Sequence, residues 1–125
     1  MISAQVRDGL IDVGDASLGF RAYVPDTFDV VVVHFHGNAE VHINMSFMTY
    51  MQVAGDADQL APTFHAAGAC LLSVDYRGYG WSTGAPAIKK LTVDAEKVID
   101  ALIAGSVAGI PVGCKIIVYA TSVRL

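Results

Sequence analysis

Two serines in this chain have surroundings in which a hydroxyl could act as a nucleophile. Ser122 comes two residues after the apolar run Ile116-Ile117-Val118-Tyr119-Ala120. A serine just past a buried strand can be held in a sharp turn, with Oγ exposed and backbone N–H groups beside it. That arrangement suits attack on an acyl carbon, because the oxyanion that forms meets donors already aimed at it. Ser82 stands in Gly80-Trp81-Ser82-Thr83-Gly84, a literal G-x-S-x-G. Such an elbow requires a strand directly before the serine and a helix directly after it. Ser82 lies well past its nearest strand candidate, which ends near Tyr76. Ala85-Pro86-Ala87 then separates it from a helix expected to begin near Thr92. The context favours Ser122.

Two other constellations suggest different chemistry. His34-x-His36, with His42 as a third donor, resembles a metal-binding pair at a strand end. No acidic or histidine cluster follows at a second strand end, so no metal is expected. Gly78, Gly80 and Gly84 form a glycine-rich loop after a strand. No helix starts at that loop, so no helix N-terminus is positioned to hold a pyrophosphate, and no cofactor is expected. The net charge is −4 and the eight Lys and Arg are scattered, which excludes a basic nucleic-acid stripe. Cys70 and Cys114 adjoin or lie in apolar strand candidates and read as buried free thiols in a reducing compartment.

The elements that must position these residues follow from periodicity. Ala4 to Ile11 and Leu18 to Val24 read as two short strands with Gly14 and Asp15 in the turn between them. Phe20, Ala22 and Val24 alternate with Arg21 and Tyr23, as in a half-exposed antiparallel strand. Val30-Val31-Val32-Val33-His34-Phe35 is a β-branched run, expected to be a strand buried on both faces. Asp56-Ala57-Asp58-Gln59 resembles a capping box opening a helix to about Ala67, with Gly68 as its stop. Ala69 to Val74 is the next buried strand. Thr92 can cap a helix to about Ala104, with Ala95, Val98, Ile99 and Leu102 as the buried stripe. Asp94 and Glu96 suit the positive end of its dipole. The final strand is read as buried too. The order β-β-β-α-β-α-β argues an α/β fold whose parallel strands are joined by crossover helices.

Hydrophobic residues make up 54 % of the 125, and only 16 % are charged. Strands buried on both faces account for this balance, since no apolar stretch is long enough for a membrane span. The first residues lack the apolar core of a signal peptide, and a cytoplasmic location is expected.

With these residues in place, the sequence resembles the α/β-hydrolase superfamily, in its serine aminopeptidase-like, abhydrolase-domain branch. His34-Phe35-His36-Gly37-Asn38-Ala39-Glu40 is similar to the oxyanion-loop segment of that family. Asp75-Tyr76-Arg77-Gly78-Tyr79-Gly80-Trp81-Ser82-Thr83-Gly84 is similar to the loop after its next strand. The resemblance runs over residues 4 to 123 in the family's order. It implies a mostly parallel sheet of eight strands, of which residues 1–125 hold the first five as the N-terminal part of one domain. It further implies serine hydrolase chemistry on an ester, thioester, amide or peptide bond of a small-molecule or peptide acyl substrate. Ser122 would be the nucleophile, the N–H groups of Asn38 and Val123 the oxyanion donors, and Ser82 a structural loop residue.

The sequence departs from the family in three places. Arg124 stands where the elbow's second glycine belongs, and an arginine there pushes the following helix away from the strands. The family's acid and histidine follow its nucleophile, whereas His34, His36, His42 and His65 all precede Ser122. Residues 42–53, which hold Met45, Met48 and Met51, form an insertion, read either as a lid over the site or as residues foreign to the expressed protein. The alternative function is therefore a catalytically inactive hydrolase fragment or a degenerate binding module. A fifth strand left at the sheet edge is expected to promote self-association.

Overall fold

The computed structural model describes residues 5–35, 61–78, 82–85, 88–107 and 109–120. They form strands β1 (Gln5–Asp12), β2 (Ser17–Val24) and β3 (Val30–Phe35), then helix α1 (61–66) and strand β4 (Ala69–Val74). A 3₁₀ turn (Ile88–Lys90), helix α2 (Leu91–Ile103) and strand β5 (Lys115–Ala120) follow.

The five strands form one mixed sheet in the order β1-β2-β4-β3-β5. β1 pairs antiparallel with β2, and β2 antiparallel with β4. β3 runs parallel to both β4 and β5. The chain steps from β3 to β4 in one direction, then crosses back over β3 to β5. Right-handed crossovers taken in opposite directions must put their helices on opposite faces. The packing follows that rule. Ala61 and Phe64 of α1 lie with Tyr23, Val32, Ala69 and Leu71 on one face. Val98 and Leu102 of α2 lie with Val31, Val33, Cys70 and Leu72 on the other.

Covering both faces explains the composition. Every residue of β4 is buried, and β3 is buried from Val31 to Phe35. β2 is more enclosed than its alternation suggests, because α1 covers the face that carries Tyr23. Only Ser17 and Arg21 of β2 reach solvent in part. β5 departs further from expectation. Its Ile117, Val118 and Tyr119 are 52 %, 55 % and 39 % exposed, because no described strand lies beyond it.

The stripe Ala95, Val98, Ile99 and Leu102 does face the core. Thr92, however, is inside α2 rather than its cap. The helix grows out of the 3₁₀ turn, and Lys90 occupies the N-cap with no side-chain hydrogen bond. The helix ends in a Schellman arrangement, in which Ser106 N–H donates to Ala101 O at 2.9 Å and Gly105 N–H to Leu102 O at 3.1 Å. Gly105 takes φ +74° there, a conformation that favours glycine. Gly68 at φ +74° closes α1 likewise, donating to His65 O at 2.9 Å.

Candidate active-site edge

The sheet's reversal at β3 sets where chemistry can occur. β3, β4 and β5 point the same way, and in open α/β sheets ligands occupy the crevice beyond the carboxyl ends of strands at such a switch point. Each segment singled out in the sequence leaves one of these ends. The histidine-glycine segment follows Phe35, the Asp75 loop follows Val74, and the serine segment follows Ala120. In the ladder Phe35 pairs with both Val74 and Ala120, so the three ends stand level.

The loop after β4 is fixed to β2 by a chain of hydrogen bonds. Asp75 N–H donates to Gly19 O at 2.9 Å, and Thr83 N–H donates to Ser17 O at 2.8 Å. Thr83 Oγ1 accepts from Ser17 N–H at 2.9 Å. Ser82 Oγ accepts from Gly19 N–H at 2.8 Å and donates to the Asp75 carbonyl at 2.9 Å. The Ser82 proton is thus held by a carbonyl oxygen and not by a base, which suits a structural staple.

Arg77 continues the staple. Its Nε and Nη2 donate to Asp94 Oδ2 and Oδ1 at 2.8 and 2.7 Å. Nη1 and Nη2 also reach Asp15 Oδ2 and Oδ1 at 3.1 and 3.0 Å. One guanidinium therefore joins the β1–β2 turn, the loop after β4 and helix α2. The paired carboxylates, Asp94 foremost, raise the Arg77 pKa, and Arg77 in turn holds the Asp15 carboxyl below its ordinary value. Sequence reasoning assigned Asp94 to the helix dipole and missed this pairing. A signal was present, since Asp94, Val98 and Leu102 recur at four-residue spacing and all three are buried.

One layer beneath the strand ends a row of polar residues crosses the whole sheet. Asp8, Arg21, Ser73, His34 and Tyr119 are successive ladder partners on β1, β2, β4, β3 and β5. Arg21 donates to both Asp8 carboxylate oxygens, at 2.9 and 3.2 Å. The His34 ring is fully buried and stacks on Tyr119 at 5.2 Å with an interplanar angle of 26°. Tyr119 also meets Phe64 of α1 at 6.0 Å. His34 is thus sealed between strands and α1, which argues against its half of the two-histidine metal pair. Among the described residues no group of three His, Cys, Asp or Glu side chains could hold a metal. On the α2 side of the strand ends, Phe35 stacks on Tyr76 at 6.2 Å, and burial pushes the Tyr76 hydroxyl up to about 12.

Ser122, Asn38, Val123 and Arg124 lie outside the described residues, as do His36, His42 and the whole of 42–53. Among the described residues no helix is long and apolar enough to cross a membrane.

Comparison with known proteins places this geometry. No family model matches the sequence, and no curated protein matches it. Solved structures do. The predicted CIB-like hydrolase of Thermoplasma acidophilum is 22% identical, with a TM-score of 0.62 over 96% of this chain and 52% of its own. An esterase of Pyrococcus furiosus is 19% identical, with a TM-score of 0.66 over 95% of this chain and 40% of its own. An alpha-beta serine hydrolase homologue from Coxiella burnetii is 17% identical, with a TM-score of 0.65 over 93% of this chain and 51% of its own. Epoxide hydrolases match as well. The chain therefore has the α/β-hydrolase fold in its sheet and crossovers. It spans about half, or less, of the length of these structures.

Proposed function

We propose that this chain carries the nucleophile-bearing half of an α/β-hydrolase-fold serine hydrolase acting on an ester, thioester, amide or peptide bond. Ser122 Oγ attacks the carbonyl carbon, the alcohol, thiol or amine leaves with a proton, and water then cleaves the acyl-serine to release the acid. The N–H groups of Asn38 and Val123 stabilise the oxyanion of each tetrahedral intermediate, and losing one such donor costs roughly 10²–10³ in rate. No metal or cofactor has a part in this scheme. A serine hydroxyl at neutral pH is a weak nucleophile without a base. The scheme therefore takes its acid and histidine from residues outside these 125.

The observation that supports the reading is the level, parallel pairing of Phe35 with Ala120. Adjacent strands run about 4.8 Å apart, and Asn38 and Ser122 lie three and two residues beyond that pair. Short segments from neighbouring strand ends are what an oxyanion loop and a nucleophile require. The alternative, an inactive relative of the fold, rests on Arg124 in place of the elbow glycine.

Fluorophosphonate labelling of the chain, and of its Ser122→Ala and Ser82→Ala forms, separates the readings. Labelling that disappears only with Ser122→Ala supports the proposal. Labelling that disappears only with Ser82→Ala moves the nucleophile to the loop. A protein that carries the acid and histidine and still stays unlabelled favours the inactive relative.

A further inference from the structure

We propose that Tyr76 is a positioning residue for the oxyanion segment. The loop after β4 holds the Tyr76 ring as a fixed wall against Phe35, the residue from which that segment departs. The inference rests on the serine hydrolase reading above and adds to it a residue that touches no reacting atom.

Phe35 is the last residue of β3, and Asn38, the oxyanion donor of the scheme above, follows three residues later. The Phe35 ring stacks on Tyr76, with centroids 6.2 Å apart and an interplanar angle of 16°. That separation lies in the range of offset-stacked aromatic pairs. Phe35 is 7 % and Tyr76 8 % exposed, and both belong to the α2-side core. The contact is therefore complete between β3 and the loop after β4, and it does not depend on what lies beyond β5.

The chain is tied down on both sides of Tyr76. Before it, Asp75 N–H donates to Gly19 O at 2.9 Å, and the Asp75 carbonyl accepts from Ser82 Oγ at 2.9 Å. After it, Arg77 makes its bidentate pair with Asp94 at 2.8 and 2.7 Å, and Gly78 N–H donates to Thr83 O at 3.0 Å. In the proposed reaction this loop supplies no reacting group, and its hydroxyl at Ser82 is spent as a tie. What the ties fix is the place of the Tyr76 ring. The ladder with Val74 and Ala120 holds the Phe35 backbone, and the Tyr76 ring closes the remaining side of its side chain. A preorganised donor acts only when it stands within about 0.5 Å of its productive place. Fixing the residue at which the segment starts narrows the positions open to the N–H that follows.

The test uses the protein that carries this chain together with the acid and histidine. Hydrolysis of p-nitrophenyl acetate is measured per reactive serine, counted by fluorophosphonate labelling to completion. Tyr76→Leu should lower kcat by roughly 10- to 100-fold, the scale of a small misplacement. KM should stay near the parental value, because the donor meets only the developing oxyanion. Tyr76→Phe keeps the ring and should restore the rate. Phe35→Leu leaves the loop and its ties whole and gives the same test from the other ring. The double variant should be no slower than the slower single one, because both changes remove one contact. Leu102→Ala is the control, since Leu102 sits by Val31 and Ile116 near the opposite strand ends. It should lower the melting temperature and leave kcat intact. A parent that neither hydrolyses the ester nor takes the label overturns the hydrolase reading and this inference with it. A reactive parent overturns the positioning role alone if Tyr76→Leu or Phe35→Leu keeps full kcat, if the two losses multiply, or if Leu102→Ala is slowed as much.

Discussion

Arg77 and Asp94 meet in a bidentate ion pair, 2.8 and 2.7 Å long, with side chains only 7 % and 4 % exposed. Arg77 and Asp94 are 17 residues apart in sequence, and their contact joins the loop after β4 to helix α2. Asp94→Ala leaves the guanidinium with only the exposed carboxylate of Asp15. It should therefore lower the denaturant midpoint, by less than the ~3–5 kcal/mol of a buried charge left with no partner. Asp94→Asn keeps the shape and one acceptor and should cost less. An Asp94→Ala protein as stable as the parent would show that the pair contributes nothing net.

Asp15 holds the same guanidinium from the solvent side, and its carboxylate is 61 % exposed. The hydrogen bond from Arg77 is the leading cause that lowers its pKa from the ordinary 3.8. A depressed folded-state value means that the stabilisation is whole above 3.8 and disappears as the pH falls through the lower value. Melting temperatures from pH 6 to pH 2 should fall more steeply below pH 4 for the parent than for Asp15→Asn. At pH 6 the gap between the two should be small, because an exposed partner contributes little. Parallel acid limbs would contradict this account.

The sequence carried the strand order of elements and the buried runs of β3 and β4, because continuous apolar stretches leave few alternatives. Helix α2 was legible from the stripe at Ala95, Val98, Ile99 and Leu102, whereas the capping box read at Asp56 to Gln59 lies outside the described residues. Thr92 misled, because a preceding 3₁₀ turn can start a helix without a capping side chain. Asp94 and Arg77 were legible only as types, since their meeting depends on how a loop and a helix converge in space. β5 read as buried from its apolar run alone, because such a strand looks the same whether or not a neighbour covers it, whereas the resemblance put it at the edge of the strands present, where the described sheet has it. The candidate site was legible as a set of segments leaving three strand ends. Its residues Asn38, Ser122 and Val123 rest on the resemblance and on the level ends of Phe35 and Ala120.

Ser82 should behave as a tie and not as a nucleophile. Its hydroxyl serves Gly19 N–H and the Asp75 carbonyl together, so Ser82→Ala leaves a donor and an acceptor short of a partner. The expected cost is about 2 kcal/mol, read by chemical denaturation. Ser82→Thr, which retains the hydroxyl, should recover part of it. A Ser82→Ala chain of parental stability would remove the tie from this account.

The two thiols should differ in reactivity. Cys70 is fully buried in β4, and burial pushes its thiol up to about 12, whereas Cys114 is half-buried ahead of β5. The thiolate is the reacting species, so at pH 8 Cys70 has almost none to offer. Iodoacetamide on the folded chain should modify Cys114 and spare Cys70, and denaturant should expose both, as peptide mass mapping would record. Early alkylation of Cys70 would mean that β4 opens on the reagent's timescale.

Gly9 in β1 lies under the ring of its ladder partner Phe20, and the ring takes the space that a side chain would fill. A Cβ built at Gly9 would come 2.7 Å from Phe20 Cζ and 2.9 Å from Cε2, so the ring must move to admit it. Phe20 is only 4 % exposed and belongs to the α2-side core, which leaves it little room to turn. Overpacking of this kind costs about 1–3 kcal/mol, and Gly9→Ala should show it despite the better strand propensity of alanine. Phe20→Leu shortens the ring side chain and should reduce the penalty of Gly9→Ala, giving a coupling of about 1 kcal/mol in a double-mutant cycle. Additive effects of the two changes would show that the ring is free to move aside and that the glycine serves only the backbone.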